Sequence, residues 1–335
     1  MMKETIYLLT GAAGFLGNNI SHKLVSEGKK VRALVLNGDP AVKYVPSEAE
    51  VVFGDLTDMR SLEAFFEVPE HHEVIVIHCA SLVTTSPEPS QKVYDVNVTG
   101  TQNVVDLCVA KRVKKLVHVS STGAILEEPH GQVIKEPEQF YPDRVVGYYA
   151  KTKAIATQYV LEAVRNKGLD ASIIYPSGIA GPNDSAFGPL VSFVIRYCLG
   201  EIRVGVDGSF NAVDVRDLAD GIMACTEQGR QGEGYILSNE MVPMRKMFDL
   251  ISEASGAKQV ETILTPEQMQ AMSQGSMVES EGGSNPEALK FEIYNLTRNN
   301  QFSSEKAESE LGFRTRPFQE TIADTVAWLR SEGIL

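Results

Sequence analysis

The sequence predicts an α/β protein: a doubly wound parallel sheet with helices on both faces, joined to a smaller, mostly helical C-terminal substrate region. Two observations carry this expectation. Short β-branched runs alternate with longer helical patterns through the first half, which is the rhythm of repeated βαβ units. The runs are apolar along their length rather than alternating, as strands are when both faces of their sheet are covered.

The elements follow in order. IYLL is the first strand, then VRALVL, VVFG, VIVIHCA, KLVHVS and ASIIYP, each followed by a candidate helix or turn. After about residue 180 the rhythm loosens, with helices expected near 187–199, 215–227, 244–255 and 317–333; in the last, Ile322, Val326 and Leu329 form an apolar stripe. This divides the chain into a larger βαβ domain, 1–180 with 205–240, and a smaller domain, 181–204 with 241–335. The Ser-, Gly- and Glu-rich stretch 272–290 reads as a mobile surface loop or as a flap over a pocket.

Composition narrows the function. With 335 residues, 43% of them hydrophobic, the chain can bury a large core. A formal net charge of −13 disfavours nucleic acid and anionic membranes, because both need a basic surface. The apolar run in MMKETIYLLTG is too short for a secretory core and no stretch is long enough to span a bilayer, so a cytoplasmic protein is expected. Cys79, Cys108, Cys198 and Cys225 lie far apart and are expected to be reduced, buried thiols. No His spacing suits a metal, and none is expected.

IYLLTGAAGFLGNNI passes from strand to helix with Gly11, Gly14 and Gly17 at the join. Glycines allow a tight turn and close approach to a pyrophosphate, whose charge suits a helix N-terminus. A dinucleotide site is therefore expected. In GYYAKTKA, Tyr149 stands four residues before Lys153, so on a helix the two share a face and a lysine ammonium could favour the phenolate. Read alone, the pair is equally a solvated helix face.

In their order along the chain these segments resemble the extended short-chain dehydrogenase/reductase family. Thr10 with Gly11-x-x-Gly14-x-x-Gly17 and Phe15-Leu16, Gly54-Asp55-Leu56, His78-Cys79-Ala80-Ser81, Asn97-Val98-Thr99-Gly100-Thr101 and Val119-Ser120-Ser121-Thr122 carry the resemblance. So do Tyr149-x-x-x-Lys153, Tyr175-Pro176-Ser177-Gly178-Ile179-Ala180-Gly181-Pro182, Val213-Asp214-Val215-Arg216-Asp217-Leu218-Ala219, Phe302-Ser303 and Leu311-Gly312-Phe313. The resemblance implies a Rossmann-type fold and a nicotinamide cofactor held by Gly11, Ala13, Gly14, Phe15, Leu16, Gly17, Asp55, Leu56, Cys79, Ala80, Ser81, Pro176, Ser177 and Ile179, together with Tyr149 and Lys153. It implies Tyr149 as acid/base, Lys153 as its partner and Thr122 as the substrate-fixing hydroxyl, with Ser121 as the alternative. It also implies a homodimer formed by helices near 90–110 and 147–167.

Cofactor and substrate class are read from departures within that family. Val35 and Leu36 stand where an acid would mark NAD and a base NADP. With no acid to repel a 2′-phosphate, NADP(H) is slightly favoured over NAD(H); Arg32 and Lys43 are the cations considered for it. Gly178 replaces the Asn typical of sugar-nucleotide enzymes, and Gly123-Ala124 lacks the dehydratase acids. Both departures favour the branch resembling dihydroflavonol reductases and 3β-hydroxysteroid dehydrogenases. A reductase or dehydrogenase of a small apolar ketone, aldehyde or steroid-like alcohol is expected, with a nucleotide-sugar epimerase or dehydratase and a non-catalytic cofactor sensor as alternatives.

Overall fold

The computed structural model describes residues 4–276 and 286–335. The first half alternates as expected: β1 (Glu4–Thr10), α1 (Phe15–Ser26), β2 (Lys30–Val35), β3 (Glu50–Phe53), α2 (Met59–Phe65) and β4 (His72–His78). A helical run follows, α3 (Gln91–Tyr94), a π-turn (Asp95–Thr99) and α4 (Gly100–Ala110). Then come β5 (Lys115–Val119), α5 (Tyr148–Lys167) and β6 (Ala171–Pro176).

The second half contains β7 (Gly178–Ala180), α6 (Pro189–Cys198), β8 (Gly205–Val206), β9 (Ser209–Asp214), α7 (Val215–Gln228), β10 (Gly234–Leu237), β11 (Met241–Pro243) and α8 (Met244–Ser255). β12 (Ile263–Leu264), α9 (Pro266–Ser276), α10 (Pro286–Thr297), α11 (Glu305–Glu310) and α12 (Phe318–Ser331) complete the described chain. α9 and α10 occupy both ends of the stretch expected to be a loop, because each carries helix-compatible residues after a proline at its first position. The remainder of that stretch, 277–285, lies outside the described residues.

Seven parallel strands form the main sheet in the order β10-β6-β5-β4-β1-β2-β3. The order reverses between β1 and β4, which opens a crevice at the carboxyl ends of those strands. One face is covered by α1 and α7 over Leu9, Ile20, Ile77, Leu218 and Ile222. The other is covered by α2, α4 and α5 over Leu8, Leu62, Phe65, Val104 and Val160. Burial on both faces explains the unbroken apolar strands, each buried Leu or Ile contributing about 1.5–3 kcal/mol.

A separate core gathers Val191, Tyr197, Phe248, Phe318, Ile322, Val326 and Leu329 from α6, α8 and α12. The stripe expected on the last helix is thus buried. Its aromatic centre is a near-parallel pair, Phe193 and Phe248, with ring centroids 6.2 Å apart. Among the described residues no helix is long and apolar enough to cross a membrane.

Candidate active site

The turn between β1 and α1 is shaped by its glycines. Gly11 has φ +72°, and a Cβ there would lie 2.8 Å from the Ala80 backbone, so the turn packs directly on the segment after β4. A Cβ on Gly17 would lie 2.1 Å from the Gly11 carbonyl oxygen. Gly14 caps α1 without a side-chain hydrogen bond, and the first turn holds no acid. Its free amides therefore point their partial positive charge into the crevice, where an anionic pyrophosphate fits.

Thr10 ties the two sides of that crevice together. Its hydroxyl lies 2.7 Å from His78 Nδ1 and accepts from the Ala80 amide at 3.3 Å, while His78 Nε2 lies 3.0 Å from the Thr101 hydroxyl. Burial pushes His78 down to about 3, with Lys153 adding to the shift, so its imidazole is neutral. His118, stacked on it at 5.5 Å, is lowered by the same causes, and neither ring nitrogen has a partner.

At the adenine end, Asp55 Oδ1 accepts from the amide and the hydroxyl of Thr57, which fixes the loop after β3. Leu56 packs beneath Gly100. Val35 is buried and Leu36 is exposed. Arg32 is committed elsewhere: it donates to Glu50 at 2.9 Å and to the carbonyls of Phe65 and Glu67, three residues short of the strand's end. It is therefore no ligand for a 2′-phosphate. Lys43 sits 4.8 Å over the Tyr44 ring, on a 3-10 turn docked to α1 through Asn18.

Tyr149 and Lys153 share α5, yet their polar ends have different neighbours. Lys153 Nζ donates to the Val119 carbonyl at 2.6 Å and is buried. Burial lowers it to about 8, opposed by Cys79. Burial raises the Tyr149 phenol above its ordinary pKa, and the Ser81 and Ser121 hydroxyls oppose the rise. The expectation that the lysine brings the phenol down is corrected here: desolvation prevails, and the groups acting against it are serines.

The two candidates for the third member are placed differently. A 3-10 turn begins at Thr122, which is buried, whereas Ser121 is the last extended residue and caps that turn by accepting from Gly123 N at 3.0 Å. Of the two, Ser121 is the one whose hydroxyl opposes the rise of the Tyr149 phenol. Tyr148 is the first residue of α5, and its neighbour Lys151 pairs outward with Asp143 at 2.6 Å.

The remaining residues of the expected cofactor site frame the same crevice. Ala13, Leu16 and Ala80 pack against the sheet, with Phe15 and Cys79 partly buried beside them. Pro176 ends β6, Ile179 lies in β7, and the Ser177 hydroxyl between them is buried without a partner. That hydroxyl is a polar group left for a ligand. Cys108 and Cys225 are buried as expected, whereas Cys198, like Cys79, is only partly so; all four are free thiols. No cluster of metal ligands occurs among the described residues.

A glycine turn at the reversal of a parallel sheet, with Tyr149 and Lys153 at its carboxyl edge, defines an extended short-chain dehydrogenase/reductase, an NAD(P)-dependent oxidoreductase. The profile of the 3-beta hydroxysteroid dehydrogenase/isomerase family matches residues 8–236, and the chain belongs to that family. It is similar to "Sterol demethylase protein B" of Methylococcus capsulatus, with 28% identity covering 98% of this chain and 99% of the relative. It is also similar to the 4-hydroxy-2-methyl-3-oxo-4-farnesyl-3,4-dihydroquinoline-1-oxide ketoreductase of Stigmatella aurantiaca, at 29% identity over 92% of this chain and 91% of the relative. Among solved structures, the crystal structure of gox2253 superposes with a TM-score of 0.85 at 28% identity, covering 99% of this chain and all of that one.

Proposed function

We propose that the protein transfers hydride between a nicotinamide cofactor and a carbonyl or secondary alcohol carbon of a small apolar substrate, with Tyr149 as acid/base. The observation that carries the reading is the buried ammonium of Lys153, bonded to the last carbonyl of β5 and one helical turn from Tyr149. A buried cation with one protein acceptor has donors to spare, and cofactor ribose hydroxyls would take them. When bound, the nicotinamide supplies or accepts the hydride. Tyr149 gives its phenolic proton to the carbonyl oxygen on reduction and takes it back on oxidation. A hydroxyl at the end of β5, that of Thr122 or of Ser121, orients that oxygen.

An apolar substrate suits the second core, whose partly buried rim carries Leu190, Phe193, Phe210 and Leu296. It also suits relatives named for a sterol and for a farnesyl-bearing ketone. The cofactor reading favours NADP(H), because the end of β2 presents exposed Leu36 rather than an acid that would repel a 2′-phosphate.

The test is calorimetric titration of the cofactor-free protein with NADPH and NADH in parallel, followed by a screen of ketones, aldehydes and steroids for net cofactor oxidation. Tighter NADPH binding and net oxidation support the proposal. Turnover without net cofactor consumption would replace it with an epimerase or isomerase.

A further inference from the structure

Two buried side chains, His78 and Asn97, lie between the glycine turn and the first turn of α5. Thr10, the residue before Gly11, accepts from the Ala80 amide at 3.3 Å and lies 2.7 Å from His78 Nδ1. His78 Nε2 lies 3.0 Å from the Thr101 hydroxyl, which donates to the Asn97 carbonyl at 2.7 Å. One placing of the protons satisfies all of these groups. Thr101 spends its proton on Asn97, so His78 Nε2 donates to Thr101, and His78 Nδ1 accepts from Thr10. The other tautomer would set two lone pairs against each other at Thr101 and leave the Thr10 proton without an acceptor among the described residues.

Asn97 continues the chain from inside a π-turn, a geometry frequent at functional sites. Its Oδ1 accepts from the Leu82 amide at 2.7 Å and from the Ser81 hydroxyl at 3.1 Å. Its Nδ2 donates to the Leu82 carbonyl and to the Thr152 hydroxyl, each at 3.1 Å, and Thr152 donates to the Tyr149 carbonyl at 2.8 Å. Thr10, His78, Thr101, Asn97 and Thr152 thus form one hydrogen-bonded strut from the glycine turn to the backbone of Tyr149. None of them is more than 2% exposed, so bulk water cannot stand in for a lost member.

We propose that this strut sets the place of Tyr149 relative to the cofactor, with His78 and Asn97 as positioning residues, so that a pyrophosphate seated at Gly11 is felt at the backbone of Tyr149. The inference rests on the reading of a nicotinamide cofactor in this crevice with Tyr149 as acid/base. Hydride and proton go to neighbouring atoms of one substrate group, so their two carriers need a fixed separation. Apolar packing of α5 on the sheet is non-directional and fixes its depth, whereas hydrogen bonds between particular atoms fix its register.

The probe is ADP, which carries a pyrophosphate but no nicotinamide ribose to touch Lys153. Hydrogen exchange of the amides of residues 148–153 is followed in the full-length protein with and without ADP, at saturation fixed by calorimetry. In the parent, bound ADP slows exchange there about threefold or more, the scale of a modest rise in local opening free energy. Thr101→Val keeps the side chain's shape, removes its hydroxyl and abolishes the slowing, while the ADP dissociation constant stays within about twofold, because the glycine turn itself is intact. Thr152→Val cuts the same strut at its far end and has the same effect. Thr101→Ser restores the slowing, which a merely space-filling threonine would not require. Bound ADP that leaves 148–153 unchanged in the parent, or slowing that survives both valine substitutions, overturns the inference alone. Failure of ADP to bind, or full turnover by Tyr149→Phe, strikes the cofactor or acid/base reading, and the inference falls with it.

Discussion

Lys153 donates to the Val119 carbonyl oxygen at 2.6 Å from a site that is 3% exposed, with no carboxylate facing it among the described residues. Its pKa in the fold, about 8, lies below its ordinary value near 10.5. Below pH 8 the fold therefore carries a desolvated charge that the unfolded chain does not, and the penalty disappears as pH rises from 8 through 10.5. The full effect is on the order of 3 kcal/mol. Lys153→Met is expected to stabilise the cofactor-free protein at pH 7 while removing turnover. Thermal denaturation at pH 7 and pH 10 checks this, and the gain should shrink at the higher pH.

On the proposed acid/base role, Tyr149→Phe removes the proton carrier. Turnover should fall by roughly two or more orders of magnitude, the scale of lost acid/base catalysis, with the dissociation constant of the cofactor nearly unchanged. Steady-state kinetics beside calorimetry separates the two effects.

Acid should unfold the protein through its buried imidazoles. His78, at about 3 in the fold, stays neutral where the unfolded chain is protonated. The stability it confers is complete above pH 6.5 and is lost as pH falls from 6.5 toward 3, about 2 kcal/mol being gone at pH 5. Denaturant titrations at pH 7 and pH 5 measure this loss. His118→Phe, which places no ring nitrogen in the interior, should lose less on acidification than the parent.

Gly147 leads into α5 with φ +95°, and a Cβ there would meet the Phe291 ring at 2.6 Å. Gly147→Ala should cost about 1–3 kcal/mol from backbone strain and lower kcat by tilting the first turn that carries Tyr149. Adding Phe291→Ala relieves the clash but not the strain, so stability should recover only in part. Chemical denaturation of the single and double variants reads both contributions.

Much of this arrangement is written locally in the chain. The apolar runs become the strands, the glycines of residues 11–17 become the phosphate turn, and α8 and α12 fall where their periodicities place them, because periodicity and glycine conformation act over a few residues. Tyr149 and Lys153 are legible for the same reason, being one helical turn apart. Asn97 left a weaker trace: a polar amide in the middle of a helical run, a position such residues disfavour.

The surroundings of Tyr149 belong to a different level. Ser81, Ser121 and Asn97 come from three segments, 16 to 40 residues apart in sequence, that meet only because β4 and β5 are adjacent in the sheet and α5 packs across their carboxyl ends. The loss of Arg32 to Glu50 likewise follows from the pairing of β2 with β3. The sequence by itself determined the fold class, the glycine turn and the placing of Tyr149 and Lys153 one helical turn apart. Tertiary structure alone decided how deeply the phenol is buried and where the lysine's charge is spent, because hydrogen bonding and desolvation depend on distances that only packing sets.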